Sequence, residues 1–280
     1  MELDESSFFV GVMHMNRDPW LSIVRDGQSL FWDLQRNSVF EVVYFYSKTN
    51  KFYALLNQSI EKLRWDSGRK ASYGIAYALM IGLAPWKKSI PRLRKSSPKD
   101  SGLKFPSVAV KAPEMISTIR WKKISILKYF LESSKAEFLI ITNSSSILNF
   151  QPLEKFIASN IDKSKPLYAG PIHTGYDGDF VSGSFTLMNR KSAEILLAHR
   201  SSIPLHVMDD IGFGTALSKL GILPCNYNSL ILSSEAALDE ISDEEIMSAG
   251  HIRLKAGTLQ NRTDVQIAHK LLERMSKYEN

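Results

Sequence analysis

Short apolar runs separated by longer amphipathic segments are the main pattern along this chain. The runs are rich in β-branched and aromatic residues, which favours β-strands. The predicted strands are residues 7–15, 40–46, 107–110, 138–141, 167–169, 184–188, 230–232 and 252–254. The run 138–141 is too short and too apolar for anything but a buried strand.

Between the strands, apolar residues recur at helical spacing. Residues 16–19 (NRDP) are predicted to open a helix, and Gly221 is expected to cap another helix at its carboxyl end. The predicted helices beyond the first are residues 51–84, 116–131, 153–158, 191–199, 209–220 and 265–275. This alternation of strands and helices predicts an α/β sheet with crossover helices.

A polar run, residues 142–146, directly follows the buried strand 138–141. Open α/β sheets bind ligands beyond the carboxyl ends of their strands. We therefore expect this polar run to lie at a ligand-binding edge, although its position alone names no reaction.

The composition is that of one globular domain. The chain has 280 residues, of which 44% are hydrophobic and 23% charged, and no linker divides it. The single cysteine, Cys225, fits a reducing compartment, and no apolar run reaches the length of about 18 residues that suggests a membrane span. A cytoplasmic location is therefore expected.

The net charge of +6 is unevenly distributed. One stretch is strongly basic, and it contains Lys87, Lys88, Arg92, Arg94, Lys95 and Lys99. A solvated loop and a peripheral contact with anionic membrane are the two main interpretations. No nucleic-acid partner is expected, because aromatic residues do not interleave with the charges as a strand-binding platform needs.

Four segments occur in the order found in a known enzyme family. Residues 138–149 read FLIITNSSSILN, 180–190 read FVSGSFTLMNR, 209–214 read DDIGFG and 251–255 read HIRLK. Over about residues 105–260 this pattern resembles the β-1,3-galactosyltransferase and fringe family of GT-A glycosyltransferases. The resemblance implies a GT-A-like α/β fold with a mixed, mostly parallel sheet flanked by helices.

The resemblance also implies a domain plan and an activity. A single domain would cover residues 1–280, with a donor-binding part at about 1–150, an acceptor-binding part at about 151–260 and a C-terminal helix at 262–277. It would move a sugar from a nucleotide-sugar donor, expected to be a UDP-sugar, to a saccharide or lipid-linked acceptor. The alternative is a glycosyltransferase-like protein without catalysis that serves as a binding or chaperone protein.

The chain departs from the family at its metal site. Family members bind a divalent metal with an acidic triplet, whereas this chain has Asn143, Ser144 and Ser145 there. Neutral oxygens are poor ligands beside carboxylates for Mg²⁺ or Mn²⁺. We therefore expect no metal cofactor, with Asn143 and Ser145 hydrogen-bonding the donor directly. A Mn²⁺ or Mg²⁺ requirement is the alternative.

By the resemblance, Asp210 is the base that takes the proton of the acceptor hydroxyl in an inverting displacement. From the residues alone, helix capping is the favoured role of Asp209 and Asp210, and with the resemblance Asp209 is the expected cap. Ser182 and Gly183 would line a sugar, because glycine lets a ligand approach the backbone. A turn that opens the strand is the alternative for these two.

His251, Arg253 and Lys255 are spaced two residues apart, so a strand would place them on one face. Converging there, they would hold the donor diphosphate, with a solvated face as the alternative. Asp177 and Asp179 have Asp-x-Asp spacing, but turn composition and position argue against a metal site.

Overall fold

The computed structural model describes most of the chain. The described residues are 8–35, 40–47, 90–97, 102–112, 119–162, 164–175, 178–204, 207–257 and 262–278. The predicted helix 51–84 lies outside the described residues, as do Lys87, Lys88 and Lys99 of the basic stretch.

Most strands are short and apolar, as expected for strands covered on both faces. In chain order they are β1 (Phe8–His14), β2 (Phe40–Ser47), β3 (Leu93–Ser96), β4 (Ser107–Val110), β5 (Phe138–Asn143), β6 (Ser146–Leu148), β7 (Tyr168–Gly170), β8 (Ile172–Gly175), β9 (Gly178–Val181), β10 (Phe185–Asn189), β11 (Cys225–Asn226), β12 (Leu230–Leu232) and β13 (His251–Leu254).

The main sheet has eight strands in the order β11-β7-β10-β5-β1-β2-β4-β3. β10 and β3 run antiparallel to their neighbours, and all other pairs are parallel. A second sheet has the order β12-β13-β6, and β8 pairs with β9 in a hairpin. The main sheet is mixed, mostly parallel and flanked by helices, so the predicted fold class is confirmed.

The predicted helices within the described residues are found, although with shifted ends. In chain order the described helices are α1 (Trp20–Ile23), α2 (Ser29–Leu34), α3 (Ile119–Ser133), α4 (Phe150–Asn160), α5 (Arg190–Ala198), α6 (Asp209–Lys219), α7 (Glu235–Asp239), α8 (Asp243–Ser248) and α9 (Asp264–Tyr278). The short helices α2, α7 and α8 were not predicted. A π-helical segment, Val24–Gln28, joins α1 to α2. Gly221 follows α6 with φ 76°, so its predicted capping role is confirmed.

The main sheet separates two apolar cores because successive side chains of a strand point to opposite faces. Phe8 and Val12 of β1 belong to the core that contains Phe150 of α4. Phe9 of β1 belongs to the opposite core, which contains Phe130 of α3. Helices therefore cover both faces of the sheet.

A third core fixes the second sheet against the last helix. Ile252 and Leu254 of β13 pack in it with Ile267 and Leu271 of α9, and all four are almost fully buried. Burying side chains of this size contributes about 1.5–3 kcal/mol each. α9 is thereby held close to β13, which matters for the site described below.

The polar run 142–146 is largely part of two strands, because β5 extends to Asn143 and β6 begins at Ser146 after a two-residue turn. Ser144, Ser145 and Ser146 are buried. The hydroxyls of Ser145 and Ser146 and the carbonyl oxygen of Ser145 have hydrogen-bond partners within the fold, which permits their burial.

Candidate functional site

The main sheet has a topological switch point between β1 and β5, where the chain stops adding strands on one side of β1 and begins to add them on the other. β2 and β4 lie on one side of β1, whereas β5, β10 and β7 lie on the other. Met13 pairs with Asn143, so the carboxyl ends of β1 and β5 are level. Open α/β sheets bind ligands at such a switch point, outside the carboxyl ends of the strands.

Arg253 reaches this edge from β13, where it pairs with Ser146 of β6. Its Nη1 donates a hydrogen bond to Oδ1 of Asn143 and lies 3.5 Å from Oγ of Ser146. Burial, followed by repulsion from Arg262, lowers the pKa of Arg253 to about 10. The guanidinium is therefore still charged at neutral pH, and its two hydrogen-bond acceptors are neutral.

Arg262 lies beside Arg253 and belongs to the segment that leads into α9. Its Nη2 donates to Oγ of Ser145 at 3.3 Å, and its Nε donates to Oδ2 of Asp264 at 3.1 Å. Its guanidinium carbon lies 5.3 Å from the centre of the Trp20 ring, a cation–π distance. Asp264 is fully buried and also accepts a hydrogen bond from the backbone N–H of Ala256.

We refer to Arg253, Arg262, Asp264, Asn143 and Ser145 as the arginine cluster. It contains two guanidinium groups and one carboxylate, and that carboxylate forms its ion pair with Arg262. Among the residues that the structure describes, Arg253 has no ion pair with a carboxylate. The cluster therefore carries an excess of positive charge in a half-buried setting.

Gln28 holds the backbone beneath the arginine cluster. Its Nε2 donates to the carbonyl oxygens of Asn143, at 2.9 Å, and of Ser146, at 2.5 Å. Gln28 itself is 1% exposed, so these bonds are shielded from water. The turn between β5 and β6 is consequently fixed from below by the π-helical segment.

A second polar group lies at the amino end of α6. Asp209 pairs with Lys123 of α3 at 2.5 Å, and the two side chains are only 9% and 2% exposed. The residue at the N-cap of α6 is Met208, so Asp209 is not the cap that the sequence predicts. Its carboxylate instead balances a lysine inside the protein.

Asp210 stands next to this ion pair but has different partners. Its Oδ2 accepts a hydrogen bond from the backbone N–H of Gly183 at 3.2 Å, and its Oδ1 accepts one from Ile211 at 2.9 Å. Burial raises the pKa of Asp210, and the charge of Asp209 raises it further. Lys123 and the two N–H groups act in the opposite direction. A carboxylate with a raised pKa is suited to accept a proton.

Serines connect the arginine cluster to Asp210. Oγ of Ser146 donates to the carbonyl oxygen of Ser184 at 3.2 Å, and Oγ of Ser184 lies 3.0 Å from Oγ of Ser182. Gly183 stands between these two serines, and a Cβ atom there would lie 3.3 Å from both Oδ2 of Asp210 and Nζ of Lys123. The absence of a side chain at 183 thus leaves room for Asp210. We call the path from Arg253 to Asp210 the polar strip.

The polar strip brings together most of the predicted site residues. They are Asn143, Ser145, Ser182, Gly183, Asp209, Asp210 and Arg253. The strip runs along one edge of the main sheet because β10 is antiparallel to β5 and begins beside its carboxyl end.

His251 and Lys255 do not join Arg253 on a ligand-accessible face, so the expected three-residue diphosphate grip is wrong. His251 is 0% exposed, stacks on Phe185 and shares a hydrogen bond of 2.5 Å with Ser229. Burial, with repulsion from Arg253, lowers the pKa of His251 to about 3, so its ring is neutral. Lys255 is exposed and lies beyond the last residue of β13.

Asp179 serves the hairpin of β8 and β9, where it accepts a hydrogen bond from Thr174 at 2.7 Å. This contact fits the turn that the sequence favours over a metal site. Asp177 lies outside the described residues.

Sequence reasoning missed Lys123, Gln28, Arg262 and Asp264. One signal was available for Lys123, which stands four residues after Ile119 and four before Leu127, within the apolar stripe of α3. A charged residue at a core position predicts a buried partner. The other three side chains reach the site through tertiary packing, and local spacing gives no signal for them.

The triplet positions do not fit a divalent metal. Oδ1 of Asn143 already accepts hydrogen bonds from Arg253, from the backbone N–H of Ser145 and from Ser146. A cation placed there would meet the positive charge of Arg253. Nor does the described part of the chain bring three His, Cys, Asp or Glu side chains together as a possible metal site.

The remaining expectations concern the protein surface. Arg92, Arg94 and Lys95 of the basic stretch are exposed on and beside β3, at the edge of the main sheet. In the described residues, no helix combines the length and the apolar character needed to cross a bilayer.

Comparisons with known proteins add a structural similarity. No protein-family model matches the chain, and no curated protein matches it. Among solved structures, it is similar to a glycosyltransferase involved in the glycosylation of the major capsid of PBCV-1. The two share 10% identity and a TM-score of 0.41, with 94% of this chain and 98% of the other covered. A similarity at this level assigns no activity, so the chemistry is argued from the chain's own residues.

Proposed function

We propose that this protein is a glycosyltransferase that moves a sugar from a nucleotide-sugar donor to an acceptor hydroxyl, with Asp210 as the general base. The observation that carries this proposal is the setting of Asp210. Its half-buried carboxylate has a raised pKa and lies at one end of the polar strip, whose other end is a positively charged cluster. A base near a cationic site suits transfer from a phosphate-linked donor.

The reaction is an inverting displacement. The acceptor oxygen forms a bond to the anomeric carbon while its proton passes to the carboxylate of Asp210. The bond between the anomeric carbon and the diphosphate oxygen breaks, and its electron pair leaves with the nucleoside diphosphate. Attack and departure occur on opposite faces of the sugar, so the configuration at the anomeric carbon is inverted.

Asp210 suits the role of base better than Asp209 does. The carboxylate of Asp209 is held by Lys123 in a buried ion pair at 2.5 Å. A proton added to Asp209 would break that pair and leave the lysine charge uncompensated. Asp210 is bound only by two backbone N–H groups among its described contacts, which leaves its carboxylate capacity to accept a proton.

The substrate classes follow from the sequence resemblance and from charge. The resemblance favours a UDP-sugar donor and a saccharide or lipid-linked acceptor. The exposed residues Arg92, Arg94 and Lys95 would let the protein approach an anionic membrane that presents such an acceptor.

The test is the Asp210→Asn variant, assayed against a panel of nucleotide sugars and acceptors. We expect transfer to fall at least about 100-fold, the usual scale for loss of a general base, with little change in donor affinity. Asp179→Asn is the matched control, because it removes a carboxylate of the β8–β9 hairpin away from the strip. Full transfer by a folded Asp210→Asn protein would contradict the proposed base.

A second candidate function is donor binding without catalysis. It is favoured by the neutral residues Asn143, Ser144 and Ser145 at positions where the related family has carboxylates. Thermal-shift measurements with nucleotide sugars, run beside the transfer assay, separate the two functions. Stabilisation by a donor without turnover for any acceptor would support the binding protein.

A further inference from the structure

The charge balance of the arginine cluster is the starting point. Asp264 is the carboxylate within the cluster, and it pairs with Arg262. The contacts described for Arg253 are to the amide oxygen of Asn143 and the hydroxyl of Ser146, which are neutral. Burying a charge without an opposite charge is costly. A site of this kind becomes favourable when an anion binds.

The shape of the cluster narrows the kind of anion. The cluster presents two neighbouring guanidinium groups, and each is planar with several donors suited to phosphate oxygens. Asn143 and Arg253 are half-buried, so a ligand has access at this point of the edge. Two neighbouring guanidiniums match two neighbouring phosphate groups better than a single one.

We propose that Arg253 and Arg262 form a metal-free binding site for the diphosphate of the donor. This inference rests on the proposed function for the identity of the ligand, and it assigns to two arginines the charge compensation that a divalent metal provides in the related family. Arg253 supplies a charge that forms no ion pair within the described residues, although Asp264, which is paired with Arg262, attracts it through space. Arg262 is held in place by Asp264 and by the ring of Trp20. Its Nε and Nη2 donate to Asp264 and Ser145, so Nη1 is the donor that it offers to the ligand.

The same residues explain how the site is kept ready. Gln28 fixes the carbonyl groups of Asn143 and Ser146, and Asn143 holds Nη1 of Arg253. Donors fixed before the ligand arrives need little reorganisation as negative charge develops on the leaving diphosphate. The neutral amide of Asn143 orients Arg253 without cancelling its charge, which a carboxylate at this position would do.

The first experiment is calorimetric titration of the full chain with inorganic pyrophosphate, and then with UDP, in excess EDTA. We expect both to bind, with affinities within a few-fold of those in Mn²⁺, and orthophosphate to bind more weakly than pyrophosphate. Arg253→Met should weaken pyrophosphate binding about 10- to 150-fold, which corresponds to the loss of a charge-assisted hydrogen bond. Arg253→Lys should bind pyrophosphate with an affinity between that of the wild-type protein and that of Arg253→Met.

Arg94→Met is the matched control, because it removes the same side chain from the exposed edge strand β3. It should leave pyrophosphate binding unchanged. Loss of binding in EDTA, or an equal loss in Arg253→Met and Arg94→Met, would overturn the inference. Equal affinity for orthophosphate and pyrophosphate would overturn its assignment to a diphosphate.

The Asn143→Asp variant separates the arginine site from a metal site. It changes one amide to a carboxylate against Arg253 and restores an acidic residue at a position that is acidic in the related family. If arginines hold the diphosphate, this variant should bind pyrophosphate at least about tenfold more weakly in EDTA, because the new carboxylate neutralises Arg253. Tighter binding that requires Mn²⁺, in both the wild-type protein and this variant, would instead support a metal site.

Failure of the inference and failure of the proposed function give different results. Sugar transfer that needs Mn²⁺, with no pyrophosphate binding in EDTA, would retain the transferase and remove the arginine site. Pyrophosphate binding in EDTA that is lost in Arg253→Met, in a protein that transfers no sugar, would retain the arginine site and remove the transferase.

Discussion

Lys123 is buried and Arg253 is half-buried, and both cations lie beside or on the polar strip, yet their charges are balanced differently. Lys123 has Asp209 at 2.5 Å, so its charge is neutralised inside the protein. Arg253 has the amide of Asn143 and a serine hydroxyl. The Lys123–Asp209 pair is therefore neutral overall, whereas the charge of Arg253 could still be balanced by an anionic ligand. The comparison teaches that burial of a cation does not reveal its role until its partners are known.

The largest expected effect that tests this comparison is on stability. Lys123→Met should lower the free energy of unfolding by about 3–5 kcal/mol, because it leaves Asp209 buried without its partner. Arg253→Met should lower it by about 1 kcal/mol or less, because losing the hydrogen bonds to Asn143 is offset by removing an unbalanced charge. Urea unfolding of both variants provides the measurement.

The control for this prediction is the double variant Lys123→Met with Asp209→Leu. Replacing both partners of a buried pair by apolar residues is often neutral, so most of the lost stability should return. Similar losses in the two single variants would remove the distinction between Lys123 and Arg253.

A smaller effect is expected from the titration of Asp210. Its pKa in the folded protein is raised above the ordinary 3.8, so the folded state holds the proton more tightly than the unfolded chain does. The stability of the wild-type protein should therefore fall, relative to Asp210→Asn, as the pH rises above 3.8 through the raised pKa. Below that window the difference should stop changing.

Urea unfolding of the two proteins across the acid range measures this difference. The same titration predicts that the transfer rate falls as the pH drops through the pKa of Asp210, because the protonated carboxyl cannot accept a proton. A stability difference that grows toward low pH would show that the pKa of Asp210 is lowered instead.

The smallest effect concerns basic residues that lie in water. Arg94→Ser should weaken binding to anionic vesicles by about 1 kcal/mol, or about fivefold, without changing pyrophosphate binding. Co-sedimentation with vesicles of rising anionic lipid content, at low and high salt, measures it. Equal binding to neutral and anionic vesicles would remove the membrane contact and leave these residues as a solvated face.

Local pattern was sufficient for most of the architecture. The apolar run 138–141 identified β5, and the helical spacing of 265–275 identified most of α9. Hydrophobic periodicity determines these elements, and it can be read directly from the sequence. β6 was missed because Ser146 reads as a loop residue, although its hydroxyl has hydrogen-bond partners inside the fold.

Residues of the candidate site could be predicted only where they belong to a motif of the family that the sequence resembles. Asp210 and Gly183 were predicted from the family resemblance, and the structure places them in hydrogen-bond contact. Arg262 was missed because an arginine in a polar segment gives no sign that it will meet Trp20 and Asp264. His251 was misjudged because strand alternation gives the direction of a side chain but not how deeply its strand is covered.

The position of the two arginines along the chain has a consequence for biosynthesis. The strands from β1 to β10 are complete by residue 189, but Arg253 and Arg262 are translated more than 60 residues later. Since domains are synthesised from the amino terminus, the main sheet can assemble on the ribosome before the proposed diphosphate site exists. A nascent chain would therefore not bind the donor at this site until β13 and α9 have left the ribosome and packed together. Binding of nucleotide sugars would thus stabilise the completed protein but not the nascent chain.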